Sequence, residues 1–514
     1  MAQAESAELN SPQARLTAPP TPPRVIARAD HTVSRSHISP NALRVLYRLR
    51  DAGFQAFLVG GCVRDLLLGL DPKDFDVATD ALPEQVKRLF RNCRLVGRRF
   101  RLAHVFFGQE IIEVATFRAA TAPSQGEEAP EAESEEEEGG AEGDEEEGEI
   151  LDLGGPVTEP RAARAEAAHA PVGAIQEGDL DPDAVRMFDE TGRILRDNVY
   201  GTIHDDVWRR DFTANALYYN VADFSIWDYV GGAQDIAERR LRLIGDPETR
   251  FREDPVRMLR AARFEAKLGF DIDPQTAEPI GRLRELLGGV PPARLFDETL
   301  KLFLTGHGAR SLEVLRRRGL LAALLPDVDA YLTAHPGSVV EKLLLKGLAN
   351  TDARVSAGKP VTPTFLLAAL LYGPIARIIE AMPPSRWHEL SAILDACDQA
   401  VRAAQRHLAI PRRFALGVRE MFAMQPRLEY PRGRRALRLL AHPRFRAGYD
   451  LLLLRAELGL ASPDTARWWT QLQEASSAEE RERMADALAP GAPRPAGQKS
   501  RRRRRPRRRA PGPQ

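Results

Sequence analysis

The sequence predicts an α+β protein: a mixed sheet with helices near the N-terminus, followed by all-α domains. Three observations carry that expectation. Short runs of β-forming apolar residues fall between positions 54 and 117. Helical periodicity dominates from Arg209 to about Ala475. Two compositional extremes, one acidic and one basic, set the limits of what can fold.

The elements follow in order. Ser39-Pro40 opens a helix, with Ser as N-cap and Pro at the first helical position. Ala42, Val45, Leu46 and Leu49 then recur at the spacing of an amphipathic face. After Gly53, Phe54 to Val59 reads as an apolar strand, Gly60-Gly61 as a turn, and Val63 to Leu68 as a short helix. Asp74 to Ala78 is the next strand and Pro83 to Phe90 a helix. Val105 to Phe107 and Ile111 to Phe117 form a hairpin around Gly108.

Residues 119–190 break the pattern. Positions 126–149 hold fourteen acids and no base, too little apolar surface to offset the entropy of ordering, so a disordered insertion within the first domain is expected. Order resumes near Gly192. Beyond Arg209 the periodicity is helical, punctuated by clusters such as Gly288-Gly289-Val290-Pro291-Pro292, and the Pro- and Arg-rich end reads as a disordered tail. The expected organisation is a disordered 1–35, a sheet domain 36–222 carrying the insertion, helical domains 223–330 and 331–475, and a tail 476–514.

The 514 residues carry equal numbers of acidic and basic side chains, but the zero net charge hides segregation. Lys499 to Arg509 hold nine bases, including Arg501, Arg502, Arg503, Arg504, Arg505, Arg507, Arg508 and Arg509; without this run and the acidic one the remainder carries +5. A mildly basic body with an arginine tail fits a polyanionic partner such as RNA. The three cysteines, Cys62, Cys93 and Cys397, have no metal-ligand spacing and fit a reducing, cytoplasmic setting. No stretch approaches the roughly eighteen apolar residues of a membrane span, and no secretory signal is expected at the N-terminus.

Twelve residues separate Val59-Gly60-Gly61 from Asp74-Phe75-Asp76. Acids one residue apart on an extended segment point to the same face, with Phe75 and Val77 turned into a core. Converging carboxylates repel unless a cation sits between them, and magnesium takes carboxylate and phosphate oxygens together. Glu113 stands alone within a β-forming run. In Arg209-Arg210-Asp211-Phe212-Thr213-Ala214-Asn215-Ala216, Asp211 and Asn215 would share one helix face. Asp254-Pro255 reads as a helix start that places Arg257 and Arg260 on one side. Arg294, Glu298 and Lys301 line a further helix and read as structural. His104, in a strand, is more often a packed residue than a base.

The glycine pair and the acid-hydrophobic-acid segment together resemble the polymerase-β-like nucleotidyltransferase superfamily. Leu58-Val59-Gly60-Gly61-Cys62-Val63-Arg64-Asp65 narrows the resemblance to its class II branch, the bacterial tRNA CCA-adding enzymes and poly(A) polymerases. The resemblance covers roughly 35–118 and 190–475. It implies a nucleotidyltransferase head followed by helical neck, body and leg domains. By the same resemblance Asp74 and Asp76 bind two Mg2+ ions, with Glu113 a possible third carboxylate. Gly60, Gly61, Arg64 and Asp65 would lie at the triphosphate, Arg209, Arg210 and Asp211 at the sugar and phosphates, and Asp254 and Arg257 at the base. Segments 90–105 and 442–455 look like those of bacterial poly(A) polymerases. The activity implied is template-independent addition of adenylate from ATP to RNA 3′ ends (mRNA, small and decaying RNAs) with release of pyrophosphate, promoting RNA decay. The alternatives are a CCA-adding enzyme and a non-catalytic RNA-binding protein on the same fold.

Overall fold

The computed structural model describes residues 22–97, 101–119, 186–188, 194–197, 200–387 and 389–487. Its first part is built on β1 (Arg24–Ile26), α1 (Pro40–Asp51), β2 (Ala56–Val59), α2 (Gly61–Leu67), β3 (Asp76–Thr79), α3 (Pro83–Leu89), β4 (Cys93–Val96), β5 (Leu102–Phe107), β6 (Glu110–Thr116), β7 (Arg186–Phe188), β8 (Ile194–Asp197), α4 (Ile203–Arg209), β9 (Leu217–Asn220) and β10 (Ile226–Asp228). Eight strands form one mixed sheet in the order β1-β10-β9-β2-β3-β6-β5-β4. Within this sheet only β3 and β6 run parallel. β7 and β8 pair separately.

Local chemistry explains these elements. The Ser39 hydroxyl accepts from the N–H groups of Asn41 and Ala42, and Pro40 follows at the first helical position. Ala42, Val45, Leu46 and Leu49 are fully buried and pack with Leu58, Val77 and Val114 on one face of the sheet. The other face presents Phe57, Val59, Ala78 and Tyr218, covered by Val207 of α4. Alternation along the strands therefore sorts the sheet cleanly.

Its register fixes the site. Glu113 pairs with Asp76, Asp76 with Val59, and Val59 with Tyr218. One transverse row on the α4 face thus reads Glu113, Asp76, Val59, Tyr218 across four neighbouring strands. Gly60 is the residue that follows the row on β2.

The helical part begins with α5 (Gly232–Ala237), the parallel pair β11 (Arg240–Leu241) and β12 (Asp271–Ile272), α6 (Pro247–Glu253), α7 (Val256–Leu268), α8 (Pro274–Leu283) and α9 (Pro292–Phe303). Further helices continue to Ala478–Asp486. One hydrophobic core runs from the sheet into these helices through Phe212, Leu259 and Phe264, and a second gathers around Phe445 and Trp469. Among the described residues no single helix is long and apolar enough to cross a membrane.

Several expectations need correction. β9 and β10 lie in a region expected to be helical, because Leu217-Tyr218-Tyr219 is a β-forming run too short to show alternation. The sheet therefore extends past the expected boundary at 222, to Asp228. Residues 24–26, expected in a disordered terminus, form the edge strand β1 against β10. β7, at 186–188, falls at the end of the expected insertion, whose remainder from 120 to 185 lies outside the described residues. The helix Ala478–Asp486, capped by Ser477, occupies the start of the expected tail. Arg501 to Arg505 and Arg507 to Arg509 lie outside the described residues. Strand β3 starts at Asp76, so Asp74 precedes it in an exposed position.

Candidate active site

The centre of the site is the turn at Gly60. Its φ of 83° and ψ of −140° suit glycine and strain any L side chain. A Cβ there would sit 3.6 Å from Asp76 Oδ2 and 3.9 Å from Arg210 Nη1. The turn, a carboxylate and a guanidinium thus converge on one point. Burial pushes the Asp76 carboxyl up to about 6, Glu113 and Asp74 push the same way, and Arg210 opposes them. Glu113 also stands 3.6 Å from His104 Nε2, across the β5–β6 register.

Arg210 lies just past the end of α4. Its Nε and Nη2 donate to Asp206 Oδ2 at 3.1 and 2.9 Å, and Nε also donates to the Tyr218 hydroxyl at 2.8 Å. Tyr218 in turn donates to Asp206 Oδ2 at 2.7 Å. Burial alone would lower the Arg210 pKa, but Tyr218 and Asp206 outweigh it and keep the guanidinium charged. Arg118 lies in the same field; burial lowers its pKa while Asp206 counteracts.

The expected helix containing Asp211 and Asn215 is instead an extended residue followed by a 3-10 turn, Thr213–Asn215. Asp211 and Asn215 still meet, at 3.3 Å. Arg260 donates to Asp211 Oδ2 through Nε and Nη2 at 2.7 and 2.5 Å, and the Phe212 N–H donates to Oδ1 at 2.8 Å. Burial works against the Asp211 carboxylate, yet Arg260 holds its pKa down at about 2.

The remaining expected residues divide. Arg64 is buried, with Nε and Nη2 on Asp65 Oδ1 at 2.8 and 2.6 Å and Nη1 on Asn215 at 2.5 Å. It ties α2 to the turn before β9 through these bonds. Arg209 donates to the Ala119 carbonyl at 2.9 Å. Asp254 accepts both ends of the Arg294 fork at 2.8 and 2.7 Å. Arg257 does not share a side with Arg260. It is buried, donating to the Arg250 carbonyl at 2.7 Å and to Glu253 at 3.1 Å. Arg250 spans to the carbonyls of Arg209 and Arg210 at 3.0 and 2.7 Å. Glu298 of α9 accepts from Arg263 of α7 at 2.6 Å, tying the two helices together.

Asp206, Tyr218, Arg118 and Arg250 were not singled out in the sequence. The Asp206–Arg210 spacing of i, i+4 was a usable signal. Tyr218 gave none, because only the sheet register brings it beside Gly60.

A mixed sheet with a glycine turn and carboxylates in one row, followed by a helical module, is the architecture of a polymerase-β-like nucleotidyltransferase. The poly A polymerase head domain matches residues 56–242, the family described as a probable RNA and SrmB-binding site of polymerase A matches 269–332, and the arginine-rich C-terminus of polymerase A matches 385–509. Poly(A) polymerase I of Escherichia coli O6:H1 is 43% identical over 492 residues, spanning 95% of this chain and 92% of its own. That of Haemophilus influenzae is 40% identical, spanning 90% of each chain. The CCA-adding enzyme of Bacillus subtilis is 32% identical over 52% of this chain and 51% of its own. A solved tRNA-processing enzyme shares the fold, with a TM-score of 0.51 at 19% identity over 88% of this chain and 97% of that one. The chain belongs to the bacterial poly(A) polymerase I family. Its activity is that of a polynucleotide adenylyltransferase acting on RNA, and the CCA-adding reading is a distant alternative.

Proposed function

We propose that the chain transfers adenylate from ATP to RNA 3′ ends at the carboxylates of Asp74, Asp76 and Glu113, with magnesium as cofactor. The observation that carries this reading is the alignment of Asp76 with Glu113 beside the Gly60 turn and Arg210. The raised Asp76 pKa marks a place where added positive charge is favourable. Among the described residues no three His, Cys, Asp or Glu side chains form a preformed metal cluster. Magnesium binds through one or two carboxylates and completes its sphere with water and substrate phosphates. Asp74 and Asp76 would hold it, and when bound it would supply a Lewis acid for the attacking hydroxyl and the leaving pyrophosphate.

The protein groups do the rest. The positive φ at Gly60, not crowding, calls for glycine, and Arg210 Nη1 faces this turn, where we place the triphosphate. Asp211, held ionised by Arg260, offers an acceptor for a sugar hydroxyl. Asp254, oriented by the Arg294 fork, is the group we place at the adenine amino group, where a carboxylate oxygen can accept. Arg257 supports this pocket from behind, through Glu253 and Arg250. The arginines of the tail add sequence-independent affinity for the RNA backbone. Tailing of mRNA, small and decaying RNAs in the cytoplasm, promoting their decay, is the setting we infer.

Primer extension tests the reading. With an oligo(A) primer and each nucleotide supplied separately, long tails should form with ATP alone and be lost in Asp74→Ala. Addition of CTP followed by ATP and then arrest would support CCA addition instead.

A further inference from the structure

Arg210 is held more completely than a surface arginine needs. Asp206 and Tyr218 are buried, at 7% and 0% exposure, and engage Nε and Nη2. Arg250 fixes the backbone on both sides of the bond from Arg209 to Arg210. The remaining end of the fork, Nη1, is the one that faces the Gly60 turn. Here a single oxygen, Asp206 Oδ2, takes Nε, Nη2 and the Tyr218 hydroxyl, which turns the fork so that Nη1 points across the sheet toward Asp76. The register places Tyr218 opposite Val59, the residue before Gly60.

We propose that Asp206 and Tyr218 are positioning residues for the transfer reaction, locking the Arg210 guanidinium so that Nη1 meets the ATP triphosphate at the Gly60 turn. The inference rests on the active-site reading above and deepens it. A guanidinium already desolvated and fixed in one orientation loses little freedom when the phosphate arrives, so the clamp acts chiefly on nucleotide affinity. Neither residue need touch the substrate.

The test is ATP binding to the full chain by calorimetry, in EDTA and again with magnesium, for wild type, Tyr218→Phe, Asp206→Asn and Arg210→Ala. Loss of a hydrogen bond to a charged group predicts about tenfold weaker ATP binding for Tyr218→Phe. KM for ATP should rise more than kcat falls, and affinity for an RNA primer should stay at the wild-type value. In an Arg210→Ala background Tyr218→Phe should cost nothing further, since the clamp would have nothing left to hold. Asp206→Asn keeps the shape of the side chain and reads the same cycle if the tyrosine variant does not fold. Wild-type ATP affinity in both clamp variants, with affinity lost in Arg210→Ala, would overturn the proposal. Unchanged affinity in Arg210→Ala would instead overturn the placement of the triphosphate itself.

Discussion

Replacing Arg260 by Met keeps much of the packing volume on α7 and removes the charge that Asp211 faces. Arg260 supplies both hydrogen bonds to Asp211 Oδ2, leaving only Phe212 N–H and Asn215 on Oδ1. The Asp211 side chain is 11% exposed, so solvent cannot take over. Its carboxyl falls from 3.8 to about 2 despite burial, chiefly through Arg260. That depression corresponds to about 2 kcal/mol of folding stability. Because the folded pKa lies below the unfolded one, this contribution is fully present above about pH 4 and lost as pH falls through about 2. In Arg260→Met burial dominates, the folded pKa rises above the unfolded one, and the sign inverts. The variant should fall behind wild type by about 3–5 kcal/mol at neutral pH, the cost of a stranded buried charge. The gap should narrow as pH drops toward about 4, where the carboxyl protonates. Urea unfolding of both proteins across that range, followed by tryptophan fluorescence, measures the gap directly. A gap that stays flat with pH would refute the assignment of Arg260 as the partner that keeps Asp211 ionised. Adding Asp211→Asn to the variant should recover most of the lost stability while leaving it inactive.

Three further outcomes follow from the same geometry. Gly60→Ala forces a side chain into a left-handed turn at a cost of about 1–3 kcal/mol and fills space beside Asp76 and Arg210, so thermal stability should drop and KM for ATP rise. Asp76→Asn should abolish tailing yet raise stability in EDTA at neutral pH by about 2–3 kcal/mol. The raised folded pKa means that the ionised wild-type carboxylate loses stability as pH rises through about 6, so the advantage of the variant should vanish below about pH 4. Arg294→Ala removes the two hydrogen bonds that Arg294 donates to Asp254; stability should fall by about 1–3 kcal/mol, and single-nucleotide extension should show weaker preference for ATP over CTP.

Much of the head could be read directly from the chain because its signals are local. Ser39-Pro40, the spacing of Val45 and Leu49, and the hairpin at Gly108 each depend on a few neighbouring residues, and each forms as expected. β9 and β10 escaped because a short buried strand has no periodicity to distinguish it from a helix turn. In the site, Gly60 and Asp76 were readable from their spacing, since a glycine turn and an acid on the next strand belong to one hairpin-like unit. The arginines were readable as charges but not as directions. Arg257 and Arg260 are three apart on α7, yet one points into the core toward Glu253 and the other toward Asp211, and that choice is set by where α6 packs. Tyr218 is the extreme case: its role depends on a partner strand more than 150 positions earlier in the chain.

The pairing of charges explains why the nucleotide would enter where it does. Arg210 has Asp206, Arg260 has Asp211, Arg257 has Glu253, Arg263 has Glu298 and Arg294 has Asp254, each within hydrogen-bond distance. A long arginine on a helix can reach a carboxylate several residues or a whole element away, so the helical module can neutralise its own buried charges. The sheet cannot do this for Asp76. Its neighbours in register are Glu113 and Val59, fixed by backbone pairing, and among the described residues no cation is hydrogen-bonded to it. Arg210, the nearest candidate, is turned so that two of its nitrogens serve Asp206. Negative charge is therefore left over at one point, beside the Gly60 turn. A nucleoside triphosphate with its divalent cation is neutralising at that point and anionic toward Arg210, which is the charge pattern the row and the clamp together present.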